Sequence, residues 1–176
     1  MFTDYWGRDA WYLFHSIALG YQESLKKEYY SFFELLALLL PCPYCRKEYS
    51  EYLITNPIDT NDLVNWINQL HSSVNLRLNK INNGNWFENN NGFKLIYSIA
   101  MESDNDLTNF IDFIKLLGLI SPDVRLRELL SQHPPPQNNV LYWVWLLERA
   151  YLPTESFKKY VQRINIWLKE YYSGKN

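Results

Sequence analysis

The 176-residue chain contains only two cysteines and six glycines. Two cysteines are too few for a disulfide-scaffolded secreted domain. Scarce glycine and the near absence of alternating apolar and polar residues argue against a strand-and-turn architecture. The formal net charge is −2, without the basic excess of a nucleic-acid-binding surface. No polybasic run is present that would suit an anionic membrane surface. Long hydrophobic runs are also missing. The most apolar stretch, FFELLALLL at 32–40, is short and carries Glu34, whereas a bilayer span takes about 20 apolar residues. The N-terminus, MFTDYWGRDAW, has neither a basic n-region nor an apolar h-region and is not read as a signal peptide. These absences lead us to expect a soluble protein that is not exported by the ordinary route.

What is present is apolar, aromatic and helical in its spacing. The chain is 47% hydrophobic and 17% aromatic, and its length suits one compact domain, or a small domain with an appendage. Residues 8–21 place Trp11, Phe14, His15 and Ala18 on one helical face. A second helix is expected over 26–40, stopped by Pro41. Pro43 then suits the first turn of a third helix, where its missing N–H costs nothing, running to about Leu53. A fourth is expected from Asp59 or Thr60, either a suitable N-cap, to about Lys80. INNGNWFENNNG (81–92) reads as a loop. A short helical piece follows, FKLIYSIAME. Acidic SDND at 103–106 separates two units or caps the next helix, and three or four more helices fill 107–176. QHPPPQNN at 132–139 is an extended break among them. The fold class is all-α.

Both cysteines fall in LLLPCPYCRKEY (38–49), as Cys42 and Cys45. Four readings of this C-x-x-C are open. A structural zinc site needs four ligands, and only His15, His71 and His133 are available to complete one, with no closely spaced pair among them. A structural staple is weak, because C-x-x-C closes nearly the shortest possible loop. Two inert buried thiols are the third. The prolines set the pair at a helix start, where amide donors and the helix dipole favour a thiolate. That position favours redox chemistry, although a helix, not the strand of a thioredoxin-like unit, precedes the motif.

A redox pair with no other cysteine in the chain needs an electron acceptor. On the fourth helix His71 and Asn75 are four apart and share a face, and Asn79 would extend that row. Trp66 lies on an adjoining stripe, and Arg77 and Lys80 close the helix with positive charge. Such residues fit a solvated polar face. They also suit a nucleotide, with amides for a purine edge and cations for a pyrophosphate.

Taken together, these blocks resemble the Erv/ALR flavin-dependent sulfhydryl oxidases. That family's pattern is G-R-x-x-W-x-x-x-H, then P-C-x-x-C, then W-x-x-x-x-H-x-x-V-N-x-x-L-x-K. The chain has Gly7, Arg8, Trp11 and His15, then Pro41, Cys42 and Cys45, then Trp66, His71, Val74, Asn75, Leu78 and Lys80. The match covers about residues 5–80. The resemblance implies a four-helix bundle that binds FAD within residues 1–102, with an additional helical region of unknown role at 103–176. It implies that Cys45 attacks the flavin and that Cys42 exchanges with a substrate dithiol. Gly7, Arg8, Trp11, His15, Tyr21, Cys45, His71, Val74, Asn75, Leu78 and Lys80 are its implied cofactor positions. Tyr21 matches less closely, since Gln22 stands where a proline often follows.

The implied reaction oxidises protein dithiols to disulfides and reduces O2 to hydrogen peroxide. The chain departs from the family pattern in three ways, one being Ser72 where Asn commonly follows the histidine that His71 matches. A structural disulfide that joins the third and fourth helices in many members falls at Ile54 and Asn68 here, and no shuttle C-x-x-C is present. Electrons must therefore arrive from another protein, expected to be a thioredoxin-like or C-x-x-C-bearing carrier. The expected assembly is a homodimer. Minimal, shuttle-free members are familiar among large cytoplasmic DNA viruses, which points to the host cytoplasm or virion, with the mitochondrial intermembrane space as the alternative location. The rival function is an inactive helical assembly protein of the same fold. Among 103–176, Trp143, Trp145, Trp167, Tyr171 and Tyr172 suit either a second core or a docking surface, and LYWVWLL (141–147) must be covered on at least one face.

Overall fold

The computed structural model of the chain describes residues 3–80, 92–103 and 107–124, with a few single positions beyond them. The described residues form α1 (Thr3–Leu19), a 3-10 turn (Glu23–Leu25), α2 (Lys26–Leu39), α3 (Pro43–Thr55), α4 (Leu63–Arg77), α5 (Phe93–Glu102) and α6 (Leu107–Ile120). No strand occurs among them, so the fold is all-α as expected. The loop read at 81–91, the PPP break with His133, and the aromatic residues from Trp143 onward lie outside the described residues.

Local chemistry sets the boundaries. α2 stops at Leu39 because Leu40 is extended, with ψ of 129°, as a residue before proline prefers. Pro43 sits in the first turn of α3 and Cys42 is its N-cap. α5 spans the expected stretch. Four boundaries differ from the expectation. α1 begins earlier, at Thr3, and releases Gly20 and Tyr21. α4 starts at Leu63 rather than near Asp59, because Asp62 is the N-cap and its side chain accepts the Asn65 N–H at 3.2 Å. Asp59 instead accepts the Asn61 N–H at 2.9 Å, closing a turn ahead of the helix. The same helix ends at Arg77, short of Lys80. Asn79 takes a left-handed φ of 51°, which asparagine tolerates. The Lys80 N–H then returns to the Asn75 carbonyl at 2.9 Å and the Asn79 N–H to Leu76 at 3.2 Å, a Schellman cap. Asn79 therefore terminates the His71–Asn75 row instead of extending it.

α1 packs on α4 and α5, and α2 packs on α3 and α6. Aromatic rings join these pairs into one core. Phe14 of α1 meets Phe32 and Phe33 of α2 edge-on, at 6.4 and 5.9 Å between centroids. Phe33 meets Trp66 of α4 at 5.5 Å, and Phe32 stacks on Phe113 of α6 at 5.1 Å. α6 also buries Phe110, Ile114 and Leu117 completely. This described part of 103–176 thus shares the core of the preceding helices.

α5 is held by a borrowed cap. Its N-cap is Gly92, left-handed at φ 73° with no side chain to offer. A Cβ there would also come within 2.7 Å of Leu13, so only glycine fits. Asp9 of α1, almost fully buried, supplies the missing acceptor and takes the Lys94 N–H at 2.7 Å.

No disulfide ties α3 to α4, and Ile54 and Asn68 are both exposed. The tie is non-covalent. The Trp66 indole N–H donates to the carbonyl of Asn56, the C-cap of α3, at 3.2 Å. Tyr52 of α3 packs against the same ring at 6.4 Å. Replacing Trp66 with Phe strands a carbonyl and should cost about 1 kcal/mol. Phe113→Ala empties the α2–α6 contact and should cost about 3–5 kcal/mol. Urea unfolding of both variants measures these losses.

Candidate functional site

The break between α2 and α3 presents the two cysteines. Arg46 reaches back and donates to the Leu40 carbonyl at 2.6 Å, fixing the turn. Cys42, as N-cap, turns its Sγ toward the helix and accepts the Cys45 N–H at 3.2 Å. Both thiols are free and partly buried. Burial pushes the Cys45 thiol well above its usual range. The hydrogen bond and charge of Cys42 add to that shift, and the positive charge of Arg77 opposes it. The helix start alone was expected to favour a thiolate. At Cys45 desolvation outweighs that effect, so the reduced pair keeps its proton there.

The cysteines open onto a cavity of about 570 Å³ between α1, α3 and the end of α4. It brings together Gly7, Arg8, Trp11, Cys42, Cys45, His71, Val74, Asn75, Leu78 and Lys80. Phe14, Leu36, Leu40 and Leu70 form its apolar wall. Tyr21 lies elsewhere, donating to Glu23 at 2.8 Å and packing on Tyr29. Trp66 is also outside the cavity, committed to the α3–α4 tie.

His15 does not line the cavity but acts on it through His71. The His71 ring is buried and lies parallel to Trp11, with centroids 4.0 Å apart and planes 7° from parallel. Its Nδ1 is 2.9 Å from His15 Nε2. One ring nitrogen must donate and the other accept, so the contact needs at most one shared proton between the two rings. Burial lowers the His15 pKa. Burial first, and His15 second, lower that of His71 to about 4. Both imidazoles are neutral near pH 7. Trp11 and His71 therefore present a flat, uncharged aromatic pair, with Arg8, Arg77 and Lys80 supplying positive charge at the same cavity.

Two features of the site carry no motif. Trp6 lines the cavity at 5% exposure, and its indole N–H has no partner among the described residues. Its helical register with Ala10 was the only available signal. Glu48, three residues after Cys45, pairs with Arg77, and Arg77 also lies over the Tyr44 ring at 5.6 Å. No group of three or more His, Cys, Asp and Glu side chains gathers as metal ligands among the described residues. No described helix is long and apolar enough to cross a membrane.

Residues 8–94 match the profile of the Erv1 / Alr family. The probable FAD-linked sulfhydryl oxidase R368 of Acanthamoeba polyphaga mimivirus is 34% identical over 85 residues, which cover 43% of this chain and 59% of that protein. The mitochondrial FAD-linked sulfhydryl oxidase ERV1 of Saccharomyces cerevisiae is 30% identical over 81 residues, 42% of this chain and 43% of that protein. The chain thus spans about half the length of these relatives. No solved structure matches it.

The depressed histidines give stability a pH dependence of known sign. Below the ordinary histidine value of 6.5 the unfolded chain takes up protons that the folded pair refuses. Stability is therefore complete above about 6.5 and is lost as pH falls toward about 4. Asp9, whose carboxyl burial raises, acts oppositely and offsets part of the loss at the acid end. Thermal melts between about pH 7 and about pH 4.5 should show Tm falling, with a shallower slope in His71→Gln.

Proposed function

Residues 8–94 belong to the Erv1/Alr family, and from that premise we propose that the chain is an FAD-linked thiol oxidase that forms disulfides in protein dithiols. The observation that carries this reading is the convergence of Cys42 and Cys45 with Trp11, His71, Asn75 and Lys80 on a single cavity. The residues present fit the cofactor. A cavity of about 570 Å³ is of ligand-binding size. Its flat Trp11–His71 pair offers a stacking face, Arg8, Arg77 and Lys80 suit a pyrophosphate, and the partnerless Trp6 N–H awaits an acceptor. Asn75 and the neutral His71 would meet the ring edges, and the cysteines form one wall.

Bound FAD supplies a two-electron acceptor that O2 reoxidises, giving hydrogen peroxide. The rest of the mechanism belongs to the chain. With Cys42 and Cys45 as a disulfide, a substrate thiolate attacks the Cys42 sulfur, and the Cys45 sulfur leaves as a thiolate. A second substrate thiol, deprotonated, attacks its own sulfur in that mixed disulfide and releases Cys42, so the substrate departs oxidised. Phe14, Leu36 and Leu40 keep water from the inner wall. The Cys42 sulfur, fixed at the N-cap by the Cys45 N–H, is held for exchange. His15 orients the His71 ring through their shared contact.

The chain's two cysteines leave no internal shuttle, so the reading includes a separate dithiol carrier of thioredoxin-like or C-x-x-C type. It also includes a homodimer, and an oxidase unit within residues 1–102 onto which α6 packs. Similarity to the mimivirus protein supports a viral setting, the host cytoplasm or virion. Similarity to the yeast enzyme keeps the mitochondrial intermembrane space as the alternative.

Oxygen consumption with a reduced dithiol should vanish in Cys45→Ala. Normal turnover in that variant would refute the mechanism. His71→Ala and Asn75→Ala should purify with little flavin absorbance while retaining their helical far-UV spectrum. Cys45→Ser should accumulate a mixed disulfide on Cys42, and mass spectrometry of that adduct identifies the carrier.

A further inference from the structure

The thiol-oxidase reading leaves a problem at Cys45. Its sulfur must leave as an anion, yet its half-buried setting opposes negative charge. Arg77 is placed to meet that charge. Tyr44 immediately precedes Cys45, and Glu48 follows it by three residues on the same face of α3. Arg77, from the last turn of α4, engages both. Its guanidinium pairs with Glu48 and lies 5.6 Å from the centre of the Tyr44 ring. Partners on either side of Cys45 thus hold Arg77 beside it, and all four residues line the same cavity.

We propose that Arg77 is a positioning residue which, clamped between Glu48 and the Tyr44 ring, holds a positive charge against the Cys45 sulfur and governs how readily the Cys42–Cys45 disulfide opens. This rests on the thiol-oxidase reading for its purpose, but not for its electrostatics. In the opening step, a bond forms between the substrate sulfur and Cys42, and the Cys42–Cys45 bond breaks with its electron pair passing to Cys45. No proton is required. One negative charge moves from the substrate to Cys45, which Arg77 then faces. Glu48 has the opposite effect, since its carboxylate neutralises part of the guanidinium charge. The Tyr44 ring adds a cation–π contact that keeps Arg77 in place without cancelling its charge.

Other charged and titratable groups share the cavity. They are Cys42 at the N-cap of α3, Tyr49 and Tyr52 on α3, His71 on α4, Lys80 just beyond it, and Asp4 and Arg8 on α1. His71 is neutral near pH 7 through burial and the His15 contact.

The test exploits a difference of sign. Arg77→Met and Glu48→Gln break the same ion pair, so a merely structural role predicts like effects. An electrostatic role predicts opposite ones. On a Cys42→Ser background, the single remaining thiol of the full chain is titrated by its rate of alkylation with iodoacetamide as a function of pH. Arg77→Met should raise the midpoint by about half a pH unit or more. Glu48→Gln should lower it, and Arg77→Lys should stay closer to the parent than Arg77→Met. Unchanged midpoints in Arg77→Met and Glu48→Gln, or shifts of the same direction in both, would overturn the proposal. Far-UV spectra confirm that each variant is folded. The titration needs no flavin, so the two ideas fail separately. Opposite shifts in a protein that binds no FAD uphold the clamp and sink the oxidase reading. A flavin-loaded protein without the shifts does the reverse.

Discussion

The site depends on the chain's inability to continue as a helix between Leu39 and Pro43. Pro41 forces Leu40 into an extended conformation, and Pro43 permits a new helix only from its own position onward. Cys42 is left as the hinge residue and the N-cap at once. α3 then folds back along α2, secured by the buried Tyr49 hydroxyl donating to the Phe33 carbonyl at 2.7 Å. Without this break the two sulfurs would lie along one continuous helix, and α3 would not return along α2. The turn makes them one wall of a cavity whose other walls come from α1 and α4.

Cysteine is used for nothing else in this chain. Tasks that a disulfide performs elsewhere fall to aromatic packing and to single directed hydrogen bonds. Trp66 ties α3 to α4 through the Asn56 carbonyl. Asp9 caps α5 from a neighbouring helix. The Phe32, Phe33 and Phe113 rings carry the core from α2 into α6. None of these contacts involves a cysteine, so they do not depend on whether Cys42 and Cys45 are joined.

Burial and charge compete throughout the site. Burial raises Cys45 and Asp9 and lowers His15 and His71. Each shift suppresses charge in the resting protein. The cations at the cavity, Arg8, Arg77 and Lys80, are exposed. The result is an apolar, neutral inner wall with a positive rim. That arrangement suits a ligand with a flat ring system and an anionic tail, and it places an anionic sulfur close to compensation.

Much of the fold was legible because its signals are local. Period-3.6 apolar spacing marked the helices, prolines marked the α2–α3 break, and the residues at Gly7–His15, Cys42–Cys45 and His71–Lys80 carried the family resemblance. The α4 ends were misplaced because Asp59, Thr60 and Asp62 are all chemically able to cap, and because a left-handed Asn79 looks in sequence like one more helical residue. Tyr21 and Trp66 were grouped with the site on pattern alone; packing directed one to Tyr29 and the other to Phe33 and Asn56. Nothing linear announced that Trp6 would line the cavity, or that Glu48 and Arg77, 29 positions apart, would meet. Residue type and short-range spacing were enough to mark the helices and the C-x-x-C, with no other thiol in the sequence. It took the packing of helices distant in sequence to settle which cation meets Glu48 and Tyr44, which indole supports the fold and which histidine lines the cavity.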